Sequence, residues 1–393
     1  MNILIVGTLT TKHISTLVTK LGASKKEVEK IYVFDSSFRV GYKYPDIPGI
    51  EHVYGVESNC FFKILSKIPK VRAWAFSVLL KRKVKEVISS ENIQFVSFVG
   101  VTTLTSSMIR YAHHRGAKTH IAPLGSDVLR SSKLEESALQ KAFKEIDFVT
   151  VGKNNEFGIG LINRFHIPDK KIVYAGFGSD VIDIIDRMIG TQSRKELSLM
   201  LNLPESSHYI ACGYNASRDQ NHKEILKALA ENKKLLPKDY CVIIQLSYGS
   251  AKEDLYRELS ELSHSLALNV VFIMDFLSLE KVAALRILTD LFIHVQKTDA
   301  TNASILEYLL ADTQVINGSW LKYKFIEKYG FPYYRCDSIS ELSMCIKNVL
   351  SGDYPRIMVS GEVKEAIRSF KSWKLMLERW HSLFEKSINN EGN

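Results

Sequence analysis

A chain of 393 residues is too long for one ordinary core and suits two domains. Its apolar share of 46% and charged share of 24% are those of a globular protein, and no apolar run approaches the roughly 18 residues that cross a membrane. The net charge of +9 asks for an anionic partner: a phosphorylated ligand, an anionic lipid surface or a nucleic acid.

The start, MNILIVG, runs straight into a strand without the charged and apolar segments of a secretory leader. The five cysteines (Cys60, Cys212, Cys241, Cys336, Cys345) are scattered and odd in number, so neither a disulfide framework nor a metal spacing is visible. A cytoplasmic location is the expectation. Strands are expected at 2–7, 30–35, 93–100, 118–125 and 146–152, with a short one at 171–177 and helical stretches between. Such alternation means parallel pairing with crossovers. Within this half, residues 63–87 place Lys67, Lys70, Arg72, Lys81, Arg82, Lys83 and Lys85 around Trp74, Phe76, Leu79 and Leu80. The stretch reads either as an amphipathic helix on an anionic membrane or as a surface helix packed on its own domain.

The second half repeats the pattern. Strands are expected at 209–214, 240–249, 269–277, 290–296 and 313–319, and helices at 222–232, 252–265, 278–288, 303–310 and 339–350. A last helical stretch, 362–386, carries Ile367, Phe370, Trp373, Met376, Leu377, Trp380 and Phe384 at helical spacing, and its aromatic stripe reads as core. The expected division is a first domain 1–190, a second 191–361, and a C-terminal helix and tail 362–393.

In parallel α/β sheets, ligands bind beyond the carboxyl ends of the strands, so the residues after each strand matter most. After the first comes GTLTTKH, with His13 but no dinucleotide fingerprint. After the fourth comes PLGSDVLR, where Asp127 reads as a base or as an ordinary turn cap. In the second half, ACGYNASRDQNH empties a buried strand into Asn215, Ser217, Arg218, Asn221 and His222, with Lys223 opening a helix. That run is either a polar loop or an anion cradle of outward N–H groups and an arginine. QLSYGS then offers Ser247, Tyr248 and Gly249. In QKTDATNASILEYLLA, Asp299 lies eight residues before Glu307, with the small, polar Ala300, Thr301, Asn302, Ala303 and Ser304 between. Glu307 reads as a cap, a surface residue or, given Ile305 and Leu306, a pocket carboxylate. No Asp-x-Asp metal pair follows a strand, and no metal site is expected. Nothing matches an RNP, KH, zinc-finger or helix-turn-helix pattern and the positive charge is spread, so a nucleic-acid partner is not expected.

These residues resemble the GT-B glycosyltransferases: two tandem Rossmann-like α/β domains facing across a cleft, a helix returning to the first, and a carboxylate pair spaced as in their Glu-x7-Glu, here Asp299 and Glu307. A closer resemblance is to the bacterial TDP-4-acetamido-4,6-dideoxygalactose (Fuc4NAc) transferases. It rests on Gly213, Asn215, Arg218, Asn221 and His222, on LSYG, on LEYLLADTQVINGSW, and on Gly125-Ser126-Asp127. The resemblance covers most of the second half and scattered points of the first. It implies a hexosyltransferase with no cofactor beyond its nucleotide-sugar donor, UDP- or dTDP-linked, and a bacterial surface-glycan or polyprenyl-linked acceptor. It implies a diphosphate held by Asn215, Arg218, Asn221, His222, Lys223 and residues Thr301, Asn302, Ala303 and Ser304. The nucleoside and sugar fall to Ser247, Tyr248, Gly249, Asp299 and Glu307, with Glu307 on the ribose. Asp127 or His13 is the base for the acceptor hydroxyl. Leu124 stands where retaining relatives often have a histidine, which favours an inverting reaction over the alternative of a retaining hexosyltransferase. Peripheral contact with the cytoplasmic membrane through 63–87 is the remaining expectation.

Overall fold

The computed structural model describes residues 1–24, 28–57, 68–152, 156–249, 252–299 and 301–389. The chain forms two α/β units, each with a wholly parallel sheet. The first sheet contains β1 (Asn2–Gly7), β2 (Lys30–Asp35), β3 (His52–Tyr54), β4 (Phe95–Val99), β5 (Lys118–Ala122), β6 (Phe148–Val151) and β7 (Ile172–Tyr174), in the order β3-β2-β1-β4-β5-β6-β7. The second contains β8 (His208–Cys212), β9 (Tyr240–Gln245), β10 (Val270–Ile273), β11 (Leu291–His294), β12 (Gln314–Gly318) and β13 (Tyr334–Cys336), in the order β10-β9-β8-β11-β12-β13. Helices on both faces make the central strands continuous apolar runs, as in NILIV and YCVII. The strand order reverses between β1 and β4 and again between β8 and β11, and the loops leaving those strands are the ones positioned to meet ligands.

The first unit comprises Met1–Phe177 and Trp373–Asn393, the second Gly178–Ser372. The division therefore falls before 190. The helix Asp180–Met188 belongs to the second unit because Val181, Ile182, Ile184 and Ile185 pack with Ala211, Phe292 and Ile305. The stripe read as one helix over 362–386 is two, Gly361–Lys371 and Trp373–Asn389, broken where Ser372 turns to ψ 123°. That break is where the chain returns to the first unit. There Trp373, Met376, Trp380, Leu383 and Phe384 cover Ile3, Ile5, Phe95 and Phe148. Two short strands escaped the sequence pattern. β3 and β13 have three residues each, too few for an alternation to show.

A polar row crosses the middle of the first sheet. Ser97 Oγ lies 2.9 Å from His120 Nδ1, and His120 Nε2 lies 3.1 Å from Thr150 Oγ1. Trp380 meets the same imidazole edge-on at 5.3 Å. Burial pushes the His120 pKa down to about 3, so the ring is neutral.

Within 63–87, residues 63–67 lie outside the described residues, Ile68 is the N-cap, and 69–87 fall in the helix Pro69–Ser90. Ala75, Phe76, Leu80, Val84, Val87 and Ile88 are buried in the core of the first unit, so most of the apolar stripe packs on its own domain. Trp74 and Val78 face outward, 59% and 43% exposed, with Arg72 and Arg82 exposed near them in sequence. Among the described residues no helix is long and apolar enough to cross a membrane.

Candidate functional site

The loop after β8 is shaped by a glycine that no other residue replaces cheaply. Gly213 has φ +63°, and a Cβ there would sit 2.6 Å from His222 Nε2 and 2.9 Å from Gln220 Oε1. Asn215 Oδ1 accepts from the Ser217 N–H at 2.9 Å, an Asx turn. The Ala216 N–H donates to the Tyr248 carbonyl at 2.6 Å, and Gly249, at φ +131°, lets Ala216 approach within 2.7 Å of where its Cβ would be. Asn221, itself at φ +58°, donates from Nδ2 to the Val295 carbonyl at 2.7 Å. The loops after β8, β9 and β11 are thus interlocked, the last through the Val295 carbonyl. His222 is buried, and burial pushes its pKa down to about 4.

Arg218 and Lys223 face outward from this loop and already hold an anion. Both contact Glu258 on the helix Lys252–Ser265: Arg218 Nη1 and Nη2 donate to its two carboxylate oxygens at 2.9 and 2.5 Å, and Lys223 Nζ contacts Oε2. The Arg218 hydrogen bonds, with those of Lys223, hold the Glu258 carboxyl down at about 2. The Arg218 side chain is exposed, and those of Lys223 and Glu258 are partly so. The Glu258 carboxylate is thus held by two cations, with Arg218 bonding both of its oxygens.

The segment after β11 carries strain. Thr301 is β-branched yet adopts φ +65°, a conformation rare outside glycine and asparagine. Ala300 before it lies outside the described residues. Asn302 caps the helix Ala303–Leu310, its Oδ1 accepting from the Ile305 N–H at 3.2 Å. Asp299 accepts from the Asn302 N–H at 3.1 Å and from the Tyr323 hydroxyl at 2.5 Å.

Glu307 lies on this helix and is 4% exposed. Its carboxylate is engaged by other side chains of the second unit. Oε2 accepts from Arg286 Nε at 3.2 Å and Oε1 from the Ser179 hydroxyl at 2.8 Å. Arg286 also donates to Tyr308 Oη at 2.9 Å and to Ser304 Oγ at 3.3 Å. Lys371 stands near both motif carboxylates; burial pushes its pKa down to about 8 against the pull of Asp299 and Glu307.

At the ends of β9 and β10, Tyr248 and Phe276 stack at 6.0 Å with their rings 11° from parallel, 43% and 74% exposed. Ser247 is buried beneath, accepting from Gln245 Nε2 at 3.1 Å. Phe276 was open to the same strand-end reading that selected Tyr248. Glu258, Ser179, Arg286, Lys371 and Tyr323 have no local signature, since each meets these loops from a distant segment, and His294 lies inside the strand before them.

In the first unit, Asp127 follows Gly125 (φ +98°) at the end of β5. Its Oδ2 accepts from the Val101 N–H at 2.8 Å and its carboxylate from the Leu124 N–H at 3.1 Å, so it clamps the loops after β4 and β5. Burial raises its pKa, opposed by those backbone N–H groups. It borders a small cavity with Thr102, Ser126 and Arg130. His13 is exposed on the first turn of the helix Lys12–Ala23, its ring 6.0 Å from Phe177.

Solved structures share this architecture along the whole chain. Sucrose-phosphate synthase from Thermosynechococcus elongatus superposes with a TM-score of 0.75 at 11% identity, covering 99% of this chain and 100% of its own. The chain has the GT-B fold. A glycosyltransferase from Rickettsia africae gives 0.68 at 14% identity, with 99% of each chain covered. Anabaena HepE, solved with UDP and glucose, gives 0.70 at 13% identity over 98% of this chain and 99% of its own. No protein-family model matches the chain, and no curated protein matches it in sequence.

Proposed function

We propose that this protein is a glycosyltransferase that moves a sugar from a UDP- or dTDP-linked donor to a bacterial surface-glycan or lipid-linked acceptor, with inversion. The observation that carries the reading is the interlocking of three strand-end loops in the second unit. They gather an oxyanion-binding pair, Arg218 and Lys223, with an exposed aromatic stack, Tyr248 and Phe276, and the strained Asp299–Glu307 segment. A nucleoside diphosphate has a planar base and an anionic tail, which suit the stack and the cation pair. The structural likeness to HepE, whose complexes hold UDP and UDP-glucose, supports a nucleotide-sugar donor.

In this reading the leaving diphosphate gains charge as the glycosidic bond breaks, and Arg218 and Lys223 stabilise it once Glu258 moves aside. Asp299 meets the sugar. Glu307 reaches the ribose through the oxygen that the Ser179 hydroxyl occupies here. Asp127 takes the acceptor proton, with His13 as the other candidate. Leu124 in place of a histidine supports inversion; the product's anomeric configuration separates this from retention. The resemblance to Fuc4NAc transferases supports a deoxyamino sugar on dTDP. The outward Trp74 face of the helix Pro69–Ser90 is proposed to touch anionic membrane. A thermal-shift panel of UDP-, dTDP- and GDP-sugars tests the proposal: stabilisation by a UDP or dTDP conjugate supports it, and none by any nucleotide refutes it.

A further inference from the structure

We infer that Tyr323, oriented by His294, is a positioning residue for Asp299 and governs recognition of the donor's sugar rather than of its nucleotide. The inference rests on the nucleotide-sugar reading above. Two residues from the end of β11 and its loop, and one from the loop after β12, form one chain. His294 ends β11 and is 1% exposed; its Nε2 lies 2.9 Å from Tyr323 Oη. Tyr323, also 1% exposed, donates its hydroxyl to Asp299 Oδ2 at 2.5 Å. Since the tyrosine proton is spent on the carboxylate, the 2.9 Å His294 contact has Nε2 donating and Tyr323 accepting, and Asn302 Nδ2, 3.5 Å from the same nitrogen, is too far to supply a proton to it. Nδ1 is then the bare nitrogen, and it is buried without a hydrogen-bond partner among the described residues. A neutral imidazole backing a tyrosine that holds a carboxylate is a directional arrangement. Every proton points toward Asp299.

The chain has a mechanical purpose. Asp299 begins the segment in which Thr301 takes its strained backbone, and a carboxylate on such a segment needs an external hold to keep its direction. The Asn302 N–H supplies a local one at 3.1 Å, and Tyr323 supplies the one anchored in the sheet. Trp320, three residues before Tyr323, fixes the same loop by donating to the Gln296 carbonyl at 2.8 Å. Oδ2 carries the Tyr323 hydroxyl and the shorter Asn302 contact, while Oδ1 meets only the Asn302 N–H at 3.3 Å and keeps a lone pair for a hydroxyl donor, and sugar hydroxyls are such donors.

The test uses the full chain and two ligand pairs, UDP with UDP-glucose and dTDP with dTDP-glucose, measured by calorimetry. The sugar increment is the ratio of the two affinities within a pair. Tyr323→Phe keeps the ring and removes only the hydroxyl. It should cut the increment about tenfold or more, the scale of a bond to a charged acceptor, and leave affinity for the bare nucleotide unchanged. Asp299→Asn should remove the same increment, and the double variant should lose no more than either single one. Should Tyr323→Phe fold poorly, Asp299→Asn and His294→Gln carry the comparison. Equal loss of nucleotide and conjugate affinity would make Tyr323 a mere loop staple, and an unchanged increment, or additive losses, would likewise overturn the inference. If the parent binds no nucleotide at all, the glycosyltransferase reading itself falls; if it binds nucleotides but shows no sugar increment on either pair, only the present inference does.

Discussion

Arg286 and Glu307 form an ion pair buried on both sides, 3.2 Å apart with side chains 4% and 5% exposed. A buried pair is held by its own mutual satisfaction, and removing one member leaves the other charged and without water. Glu307→Ala should therefore destabilise the second unit by about 3–5 kcal/mol, beyond any loss of ligand. Replacing Arg286 and Glu307 together by apolar residues should cost much less. Chemical denaturation of the three variants checks this, and a Glu307→Ala protein as stable as the parent would show that the pair is not closed in solution.

The ion pair also shows where sequence reading reaches its limit. The Asp299–Glu307 spacing, the small residues between them and the apolar neighbours of Glu307 are all local, and they located the helix and the burial correctly. Its partner could not be read, because Arg286 comes from another helix and Ser179 from the start of the second unit. The same holds across the fold. Long buried strands such as 2–7 and 240–245 announce themselves by composition, whereas β3 and β13 owe their state to the sheet beside them. Ser372 looks like any polar residue in a helical stripe, and only the return of the chain to the first unit explains the break there.

Glu258 occupies the position that the proposed diphosphate needs. Glu258→Gln keeps the shape and removes the competing charge, so UDP or dTDP affinity should rise about twofold to fivefold, the range over which exposed ion pairs compete. Arg218→Ala should instead slow turnover more than it raises KM, since its partner gains charge in the transition state. Calorimetry and steady-state kinetics on the two variants measure both effects. Unchanged affinity in Glu258→Gln would place the nucleotide elsewhere.

Three buried imidazoles set an acid limit. Burial lowers the pKa of His222 and His294 to about 4 and of His120 to about 3, while in the unfolded chain each returns to about 6.5. The unfolded state therefore takes up protons first as pH falls. Their contribution is complete above about pH 6.5 and is lost progressively from there down to about pH 4 for His222 and His294 and about pH 3 for His120, at up to about 1.4 kcal/mol per pH unit for each ring. Denaturant midpoints measured from pH 7.5 to 4 should fall steadily through this window. His120→Gln should flatten the slope, and an identical slope would mean that His120 is not buried neutral.

Trp74 is the outermost aromatic of the helix Pro69–Ser90, on the same exposed face as Val78 one turn on. The proposed membrane contact predicts flotation with anionic vesicles at low salt and release at high salt, since each surface cation adds about 1 kcal/mol of attraction. Trp74→Glu should abolish flotation while leaving the melting temperature unchanged. Flotation equal to the parent's would remove this face from the membrane.

Asp127 carries two roles that one substitution can separate. Its carboxylate accepts the Val101 and Leu124 N–H groups, which holds the loops after β4 and β5, and burial raises its pKa against the pull of those N–H groups. Asp127→Asn keeps one oxygen and puts an NH2 where the second one was, so one backbone N–H faces a donor instead of an acceptor. That should lower stability by about 1–3 kcal/mol, the cost of an unmade bond to a charged acceptor. The amide also takes no proton, so turnover per folded molecule should fall at least about a hundredfold, the lower end of what general base catalysis contributes. Nucleotide affinity should stay at the parent's value, because Asp127 belongs to the first unit and the proposed nucleotide residues to the second. Melting curves, calorimetry and turnover corrected for the folded fraction read the three quantities independently. A protein that melts early yet turns over like the parent would leave Asp127 as a clamp alone, and would move the base role to His13 for the next substitution.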